Sequence, residues 1–289
     1  MSAALSPAAF EIFATLLKTQ SGLMIGTDKI YLLETRLGNL LKREKLNDLN
    51  QLAEKLRQSG ADRLGRDVVE AMTTNESFFF RDDKPFVHFR SQALPRLAAA
   101  RPPGSTIRIW SAASSSGQEA YSLAMIIAES RAVLGDRKVE IIGTDIAREQ
   151  LTRAREGLYS QFEVQRGLPV QMLMRYFRKE EASWRISETI RAMAQFREFN
   201  LLSDPRSLGR FDIVFCRNVL IYFDQPTKSR VLTGIAGIMP ADGLLYLGGA
   251  ETVLGLTTCF APLPAERGVY GVVATQAAGA PAGRVAAAV

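Results

Sequence analysis

The sequence predicts an α/β fold in which a doubly wound parallel sheet follows an all-helical N-terminal region. Short apolar runs typical of buried strands recur from about residue 105 onwards. The first of these runs, at residues 107–110, leads through a loop of small residues into a helical pattern that begins at Gln118. In residues 1–70 the apolar positions instead follow the spacing of amphipathic helices.

The composition indicates a soluble globular protein. A chain of 289 residues has enough material for two ordinary domains, and its hydrophobic fraction of 47% and charged fraction of 23% are ordinary for such proteins. No apolar run approaches the roughly 20 residues that a membrane-spanning helix needs. The first residues lack the basic start and apolar core of a signal peptide. We therefore expect a cytoplasmic protein that does not insert into a membrane.

Rare residue types limit the chemistry. Cys216 and Cys259 are the two cysteines, and they cannot form a metal site between them, so no metal is expected. His88 is the single histidine, and its position in an amphipathic stretch favours a half-buried structural role. The formal charge of +6 indicates an acidic partner, which is either nucleic acid or an acidic protein surface.

Residues 1–70 are predicted to form a separate helical domain. A first helix begins at Pro7, and a second begins near Asp28. In the second helix Arg36 and Arg43 lie two turns apart and share one face. This basic face is either an ordinary solvated surface or a docking surface for an acidic partner.

Residues 71–104 form the predicted linker to the α/β part, and the linker begins with an unusual composition. Polar residues that can bind a ligand are interleaved with three consecutive aromatic residues and Arg81. Phe78, Phe79 and Phe80 cannot all face one core, so at least one of them is expected to line a pocket. A role in which these rings wedge two domains together is compatible with that expectation.

A loop of small residues, 111–117, connects the first predicted strand to the helix from Gln118. It matches neither the glycine pattern of dinucleotide-binding loops nor the lysine-containing phosphate-binding loop. Small side chains let a ligand approach the backbone, and free amides at the helix start can bind it. With Glu119 just inside the helix, the loop suits a ligand with hydroxyl groups and a positive centre, such as S-adenosylmethionine. A plain crossover is the alternative.

Further strands are predicted at residues 139–145, 195–199, 211–216, 244–247 and 268–273. Candidate ligand-binding residues stand at or just after the carboxyl ends of the first three: Asp145, then Asn200 and Leu201, then Arg217 and Asn218. Ligands of doubly wound sheets bind in the crevice at such strand ends. In that crevice Asp145 would bind ribose hydroxyls.

Four segments resemble motifs of the bacterial chemotaxis receptor methyltransferases of the CheR type, in the same order along the chain. They are residues 73–81, 109–122, 162–168 and 215–223. The resemblance implies an α/β, Rossmann-like class I SAM-dependent methyltransferase domain with a small β-subdomain, preceded by an all-α N-terminal domain.

These parts are expected at fixed positions along the chain. The N-terminal domain takes residues 1–70, and residues 71–104 form a linker that contributes cofactor contacts. The methyltransferase domain takes residues 105–274, with the β-subdomain at about 178–196. Residues 275–289 are rich in Ala, Gly and Pro, and we predict that they are disordered.

The resemblance also implies the site and the substrate. Arg81 and Tyr222 would lie beside the reacting centre, and Arg36 and Arg43 would face the acidic methylation helices of membrane chemoreceptors. The cofactor would be S-adenosylmethionine and the product S-adenosylhomocysteine; we expect a monomer that binds no nucleic acid. The cofactor residues would be Asn75, Ser77, Arg81, Glu119, Asp145, Asn200, Leu201, Arg217 and Asn218.

The expected reaction forms glutamate methyl esters. A glutamate carboxylate is ionised at pH 7 and needs no general base, which agrees with a chain that has one histidine.

Family members that tether to a receptor's C-terminal pentapeptide have a longer, glycine-rich loop than residues 178–183 provide. We therefore expect methylation that is independent of this peptide.

Two other functions are compatible with parts of the sequence. A nucleic-acid methyltransferase would explain the basic charge, but neither cysteine follows a proline, and residues 217–220 differ from the Asn/Asp-Pro-Pro-Tyr/Phe loop typical of adenine methylation. A non-catalytic S-adenosylmethionine sensor would keep Asp145 and Glu119 but would not need Arg81 or Tyr222.

Overall fold

The computed structural model describes residues 4–58 and 62–273. The predicted disordered tail, 275–289, lies outside the described residues.

A helical domain forms the N-terminal part of the chain. Its first helix begins because the Ser6 hydroxyl accepts the amide of Ala9 at 3.2 Å, and it ends at Gly22, whose φ of 78° only glycine adopts easily. The apolar faces of the helices pack on one another around fully buried Phe13 and Leu17. The helices are α1 (Pro7–Ser21), α2 (Ile30–Glu44), α3 (Leu49–Gln58) and α4 (Asp62–Met72).

Strands build two sheets in the rest of the described chain. They are β1 (Thr106–Ala112), β2 (Lys138–Asp145), β3 (Leu158–Ser160), β4 (Phe177–Glu180), β5 (Ser183–Ile186), β6 (Ala194–Glu198), β7 (Ile213–Cys216), β8 (Leu244–Leu247), β9 (Phe260–Pro262) and β10 (Val269–Val272). All six predicted strands are present, with ends that differ from the prediction by no more than two residues. The short strand β9 was not predicted, because two of its three residues are exposed and leave no apolar run.

The main sheet has the strand order β6-β2-β1-β7-β8-β10-β9. The first five strands in this order are parallel, and β10 runs antiparallel to both of its neighbours, β8 and β9. After β1 the chain runs outward through β2 to β6 and then returns to β7, beside β1. The carboxyl ends of these four strands therefore surround the point where the strand order reverses, which is where doubly wound sheets bind ligands.

Helices cover both faces of this sheet, and two buried apolar clusters lie beneath them. The helices in this part of the chain are α5 (Lys84–His88), α6 (Leu94–Ala100), α7 (Gln118–Glu129), α8 (Arg131–Leu134), α9 (Arg148–Glu156), α10 (Gln161–Gln165), α11 (Val170–Tyr176), α12 (Glu188–Arg191) and α13 (Gln225–Ala236). Of these helices, α10 and α11 contact strands of the smaller sheet, β3-β5-β4. Within residues 4–58 and 62–273, no helix has the length and apolar character needed to cross a bilayer.

The predicted linker is partly helical. A π-helical turn, Phe89–Ala93, joins α5 to α6. Phe86 and Phe89 are buried, and each ring centroid lies 5.9 Å from that of Phe215 on β7. Since β7 is central in the main sheet, the second half of this segment packs as part of the α/β domain.

The small β-subdomain differs from the prediction at both ends. It is an antiparallel sheet of order β3-β5-β4, so it spans residues 158–186 and not 178–196. Its first strand was missed because α10 and α11 separate it from its partners in the sequence. Within the predicted range, β6 pairs with β2 and belongs to the main sheet.

Candidate cofactor and active site

A cavity opens at the carboxyl ends of the central strands. Its wall is formed by the loop after β1, the segment between α4 and α5, and the ends of β2, β6 and β7. Ser21, the last residue of α1, and Leu23, just after it, complete the wall. All nine residues predicted to bind the cofactor line this cavity, together with Tyr222: Asn75, Ser77, Arg81, Glu119, Asp145, Asn200, Leu201, Arg217, Asn218 and Tyr222.

The loop between β1 and α7 is tightly turned. Ala113 and Ser115 adopt left-handed backbone conformations with φ of 56° and 49°, and Gly117 has a φ of 90°. A Cβ atom at Gly117 would lie 3.0 Å from the Cβ of Ala154 and from the ring of Phe196, so this position also lacks space for a side chain. The small residues of this loop therefore serve both the turn and the close approach of neighbouring elements.

Asp145 ends β2 and is only 6% exposed. Its carboxylate accepts the amide of Ser115 at 2.8 Å and the amide of Ala147 at 2.9 Å. Burial raises the pKa of this carboxyl, and the amide donors partly oppose that shift. These bonds fix the carboxylate at the cavity wall, where its remaining lone pairs can accept ligand hydroxyls.

Glu119 and Arg217 form a buried ion pair beside the cavity. The Arg217 guanidinium donates to Glu119 Oε2 at 3.1 Å, and the hydroxyl of Ser111 donates to Glu119 Oε1 at 2.8 Å. The side chain of Arg217 is 1% exposed. Burial raises the pKa of Glu119, while Arg217 opposes this shift. One donor of the pair, Arg217 Nε, is buried and has no hydrogen-bond partner among the described residues.

Arg217 also holds the turn that carries Arg81. Its Nη2 atom donates to the carbonyl of Arg81 and to the Asp82 carboxylate, both at 2.7 Å. The turn is strained, since Phe80, Asp82 and Asp83 all have φ between 44° and 66°. The guanidinium of Arg81 itself donates to a backbone carbonyl at 3.0 Å and lies at the cavity wall.

The three consecutive phenylalanines divide as predicted. Phe79 and Phe80 are buried in the core, whereas Phe78 lines the cavity. The Cζ atoms of Arg81 and Arg166 lie 5.3 Å and 4.2 Å from the centroid of the Phe78 ring. Phe78 thus stacks against two cations at the cavity edge.

The N-terminal domain contributes to the wall through direct contacts. The amide group of Asn200 donates to the carbonyl of Gln20, near the end of α1. Met24 donates its amide to the carbonyl of Tyr222 at 2.9 Å. The hydroxyl of Ser115 donates to the carbonyl of Asn75 at 3.0 Å, which ties the segment after α4 to the loop after β1. The cavity is therefore shared by both domains.

Arg36 and Arg43 lie outside this cavity and line a second one between α2, α4 and α9. Arg36 donates to the carbonyls of Met72 at 2.6 Å and Thr73 at 3.2 Å. Arg43 forms an ion pair with Asp67. The two arginines share a face, as predicted, but both make internal contacts that the sequence did not indicate.

The same region joins the two domains. Asp67 and Glu70 of α4 each bind Arg148 of α9 at 3.2 Å, and Glu70 also accepts the amide of Glu149 at 2.8 Å. These contacts hold the first turn of α9, three residues after Asp145.

One residue near the site was not predicted. Glu251, which follows β8, accepts backbone amides from the loop that runs from Asn218 to Tyr222. Its only signal in the sequence is an acidic residue after two glycines, which is also typical of an ordinary turn.

The rare residue types lie in the core or outside the cavity wall. His88 is 5% exposed, and its Nδ1 lies 2.8 Å from the hydroxyl of Tyr246, so its predicted structural role is confirmed and it is more deeply buried than expected. Cys216 and Cys259 are free thiols. In the part of the chain that the structure describes, no three His, Cys, Asp or Glu side chains are grouped to hold a metal ion.

The wall chemistry fits S-adenosylmethionine. The Asp145 carboxylate offers acceptors for ribose hydroxyls, and the Glu119 carboxylate offers negative charge for a ligand ammonium group. Ile146, Phe199 and Leu201 supply apolar surface for an adenine ring.

Two models of known protein families match the chain. The model of the CheR methyltransferase SAM-binding domain matches residues 75–269, and that of the CheR methyltransferase all-alpha domain matches residues 8–73.

Curated relatives are similar over most of the chain. Chemotaxis protein methyltransferase Cher2 of Pseudomonas putida is 40% identical, over 86% of this chain and 91% of its own length. Chemotaxis protein methyltransferase 1 of Pseudomonas aeruginosa is 41% identical with the same coverage. Chemotaxis protein methyltransferase of Vibrio parahaemolyticus is 37% identical, over 89% and 94%. Among solved structures, PKMT2 from Rickettsia typhi aligns with a TM-score of 0.37 and 15% identity, over 60% of this chain and 26% of its own.

Proposed function

The chain belongs to the CheR methyltransferase family and is a SAM-dependent methyltransferase, and from that premise we propose that it methylates glutamate side chains of membrane chemoreceptors. The observation that carries the proposal is the convergence of nine cofactor-type residues and Tyr222 on one cavity. The products would be glutamate methyl esters and S-adenosylhomocysteine.

The residues on the cavity wall divide the work of binding. Asp145 would bind the ribose hydroxyls, while Asn200 and Leu201 would border the adenine. Glu119 and Arg217 would face the amino-acid end of the cofactor, where their opposite charges suit its ammonium and carboxylate groups. Asn75 and Ser77, on the segment after α4, would close the cavity from the side of the N-terminal domain.

Methyl transfer to a carboxylate would require the protein mainly to align the two reacting groups. When bound, the sulfonium of S-adenosylmethionine supplies an activated methyl group that an ionised glutamate oxygen can accept without a general base. The residues of this chain would then act by orientation and by excluding water. Arg81 would orient the incoming carboxylate, and Tyr222, across the cavity, would position the transferred group.

Recognition of the receptor is proposed to use the basic face of α2, with Arg43 and Arg36, against acidic receptor helices. Arg43 is the better placed of the two for an external partner, because half of its side chain is exposed. Arg36 is less exposed, and its guanidinium is bonded to the segment after α4. The turn between β4 and β5 is two residues long, which supports methylation independent of a receptor tail peptide. A monomer acting in the cytoplasm completes the proposal.

The test is methyl transfer from tritiated S-adenosylmethionine to receptor-containing membranes of the same organism. Label that is released as volatile methanol on mild alkali identifies carboxyl methyl esters, because methylated amines and bases resist that treatment. Label on nucleic acid would contradict the proposal, and binding of S-adenosylmethionine without any transfer would favour a sensor. A pentapeptide from a receptor C-terminus should show no binding in calorimetry. Micromolar binding would refute only the proposed independence from a tail peptide, and not the methylation of receptor glutamates.

A further inference from the structure

We propose that Glu251 is a positioning residue of this site, whose carboxylate holds the loop from Asn218 to Tyr222 in the geometry that methyl transfer requires. The kinetic part of this inference rests on the proposed function, whereas its structural part rests on contacts within the chain.

Four backbone amides converge on the Glu251 carboxylate. Oε2 accepts the amides of Gly248 at 2.7 Å and Asn218 at 2.8 Å. Oε1 accepts the amides of Val219 at 2.9 Å and Ile221 at 3.3 Å. The residue is 9% exposed, so these bonds form away from competing water. Bonds from amides to a buried carboxylate are among the stronger hydrogen bonds of a protein.

The shape of the loop directs neighbouring amides toward this acceptor. Asn218 has a left-handed backbone with φ of 60°, which turns its amide and that of Val219 toward the same carboxylate. Successive amides arranged in this way form a concave site for an anion. Here the anion is part of the protein, and it is supplied by the turn after β8.

The turn after β8 also leaves no room for a side chain at Gly248. A Cβ atom at Gly248 would lie 2.7 Å from Asn218 Nδ2 and 2.8 Å from Glu251 Oε2. Both side chains therefore pack directly against the backbone of Gly248. The side chain of Asn218, which lines the cavity, consequently takes its position from the same turn that carries Glu251.

Glu251 acts on the site through other residues. It is not itself part of the cavity wall. Tyr222 directly follows Ile221, and its amide donates to the carbonyl of Val219 at 3.2 Å, so the bonds to Val219 and Ile221 set the start of the Tyr222 backbone. Asp145, at the opposite end of the cavity wall, is held by different amides. Loss of the Glu251 carboxylate should therefore disturb transfer more than cofactor binding.

The experiment compares Glu251→Gln with Glu163→Gln in the full chain. Glu163 is a matched control, since its carboxylate also accepts a backbone amide, that of Ser160 at 2.9 Å, but it lies outside the cavity wall. Three quantities are measured: kcat and KM for receptor methylation, the Kd for S-adenosylhomocysteine, and amide hydrogen exchange.

For Glu251→Gln we expect kcat to fall by about 10- to 100-fold, since a misplacement of about 1 Å can cost that much. Because Asn218 also lines the cavity, the Kd for S-adenosylhomocysteine should rise, but by a smaller factor than the fall in kcat. Faster exchange should be confined to residues 216–223 and 248–251. Glu163→Gln should leave kcat and these exchange rates unchanged. In a double-mutant cycle with Tyr222→Phe, the combined loss should be smaller than the product of the single losses.

A folded Glu251→Gln variant with wild-type kcat and wild-type exchange would overturn the inference, and so would a cycle in which the two losses simply multiply. If Glu251→Gln fails to fold, the Glu251→Asp variant tests the positioning role instead. This variant keeps the negative charge but withdraws the carboxylate oxygens by one methylene length. Wild-type kcat and wild-type exchange in it would refute the positioning role. A wild-type chain that does not methylate receptors would refute the proposed function, and the exchange data would then decide on Glu251.

Discussion

Replacement of Asp145 tests whether its buried carboxylate binds the ribose of the cofactor. The Asp145→Ala variant removes the acceptors that the ribose hydroxyls would use, and hydrogen bonds to charged groups contribute about 1.5–3 kcal/mol each. We expect affinity for S-adenosylhomocysteine to weaken by about 1–3 kcal/mol, which corresponds to a Kd roughly 5- to 150-fold higher.

The same substitution should also lower the free energy of unfolding. It leaves the amides of Ser115 and Ala147 without their acceptor, and an unsatisfied buried donor costs about 1–3 kcal/mol. Asp145→Asn separates the two effects, because its side-chain oxygen still accepts one amide. This variant should recover part of the stability while its lost charge keeps the affinity low.

Calorimetry with S-adenosylhomocysteine measures affinity, and urea unfolding measures stability. Asp204→Asn is the control, since Asp204 also accepts a backbone amide, that of Arg206 at 3.0 Å, but lies outside the cavity wall. It should leave the Kd unchanged. An unchanged Kd in a folded Asp145→Ala variant would falsify the ribose-binding role.

The remaining predictions concern catalysis, pH and docking. Arg81→Ala should lower kcat far more than the free energy of unfolding, because its guanidinium lies at the cavity wall; equal losses in both would favour a packing role. Burial raises the pKa of Asp145 and Glu119, and a ligand with hydroxyls and positive charge favours their ionised forms. Binding should therefore release protons and weaken as pH falls through the raised pKa values, and net proton uptake in calorimetry at two buffer ionisation enthalpies would contradict this sign. Arg43→Glu should reduce receptor methylation at low salt and leave the Kd for S-adenosylhomocysteine unchanged, since charges at such a surface act within about 8–10 Å. Arg36→Glu should both reduce receptor methylation and raise that Kd. Full activity in both variants would show that the basic face of α2 is an ordinary solvated surface.

The sequence predicted the strands and the wall of the site because both depend on local patterns. Apolar runs mark buried strands, and the rule that ligands bind at a strand-order reversal places Asp145, Asn200 and Arg217 together without knowledge of any contact. The three adjacent phenylalanines predicted one pocket residue by steric argument, and Phe78 fills that place.

The contacts between distant residues were not predictable in this way. Arg217 and Glu119 are 98 positions apart in the chain, and nothing in either neighbourhood signals that they bind each other. Glu251 and Asn218 are 33 positions apart and pair through backbone amides, which carry no sequence signature at all. The start of the β-subdomain was missed for a related reason, since β3 finds its partner strand beyond two helices.

The internal bonds of Arg36 change how the basic face of α2 should be interpreted. Arg36 holds the carbonyls of Met72 and Thr73, and the carbonyl of Asn75, two residues later, is held by Ser115 in the loop after β1. A receptor helix that drew Arg36 away would therefore release one anchor of the segment that lines the cofactor cavity. Docking on this face would therefore be coupled to cofactor binding through this segment. A loss of methylation in an α2 variant would identify a docking residue only when the Kd for the cofactor product is unchanged. For Arg43 we expect that Kd to be unchanged, because its partner Asp67 lies within α4 and outside the cavity wall.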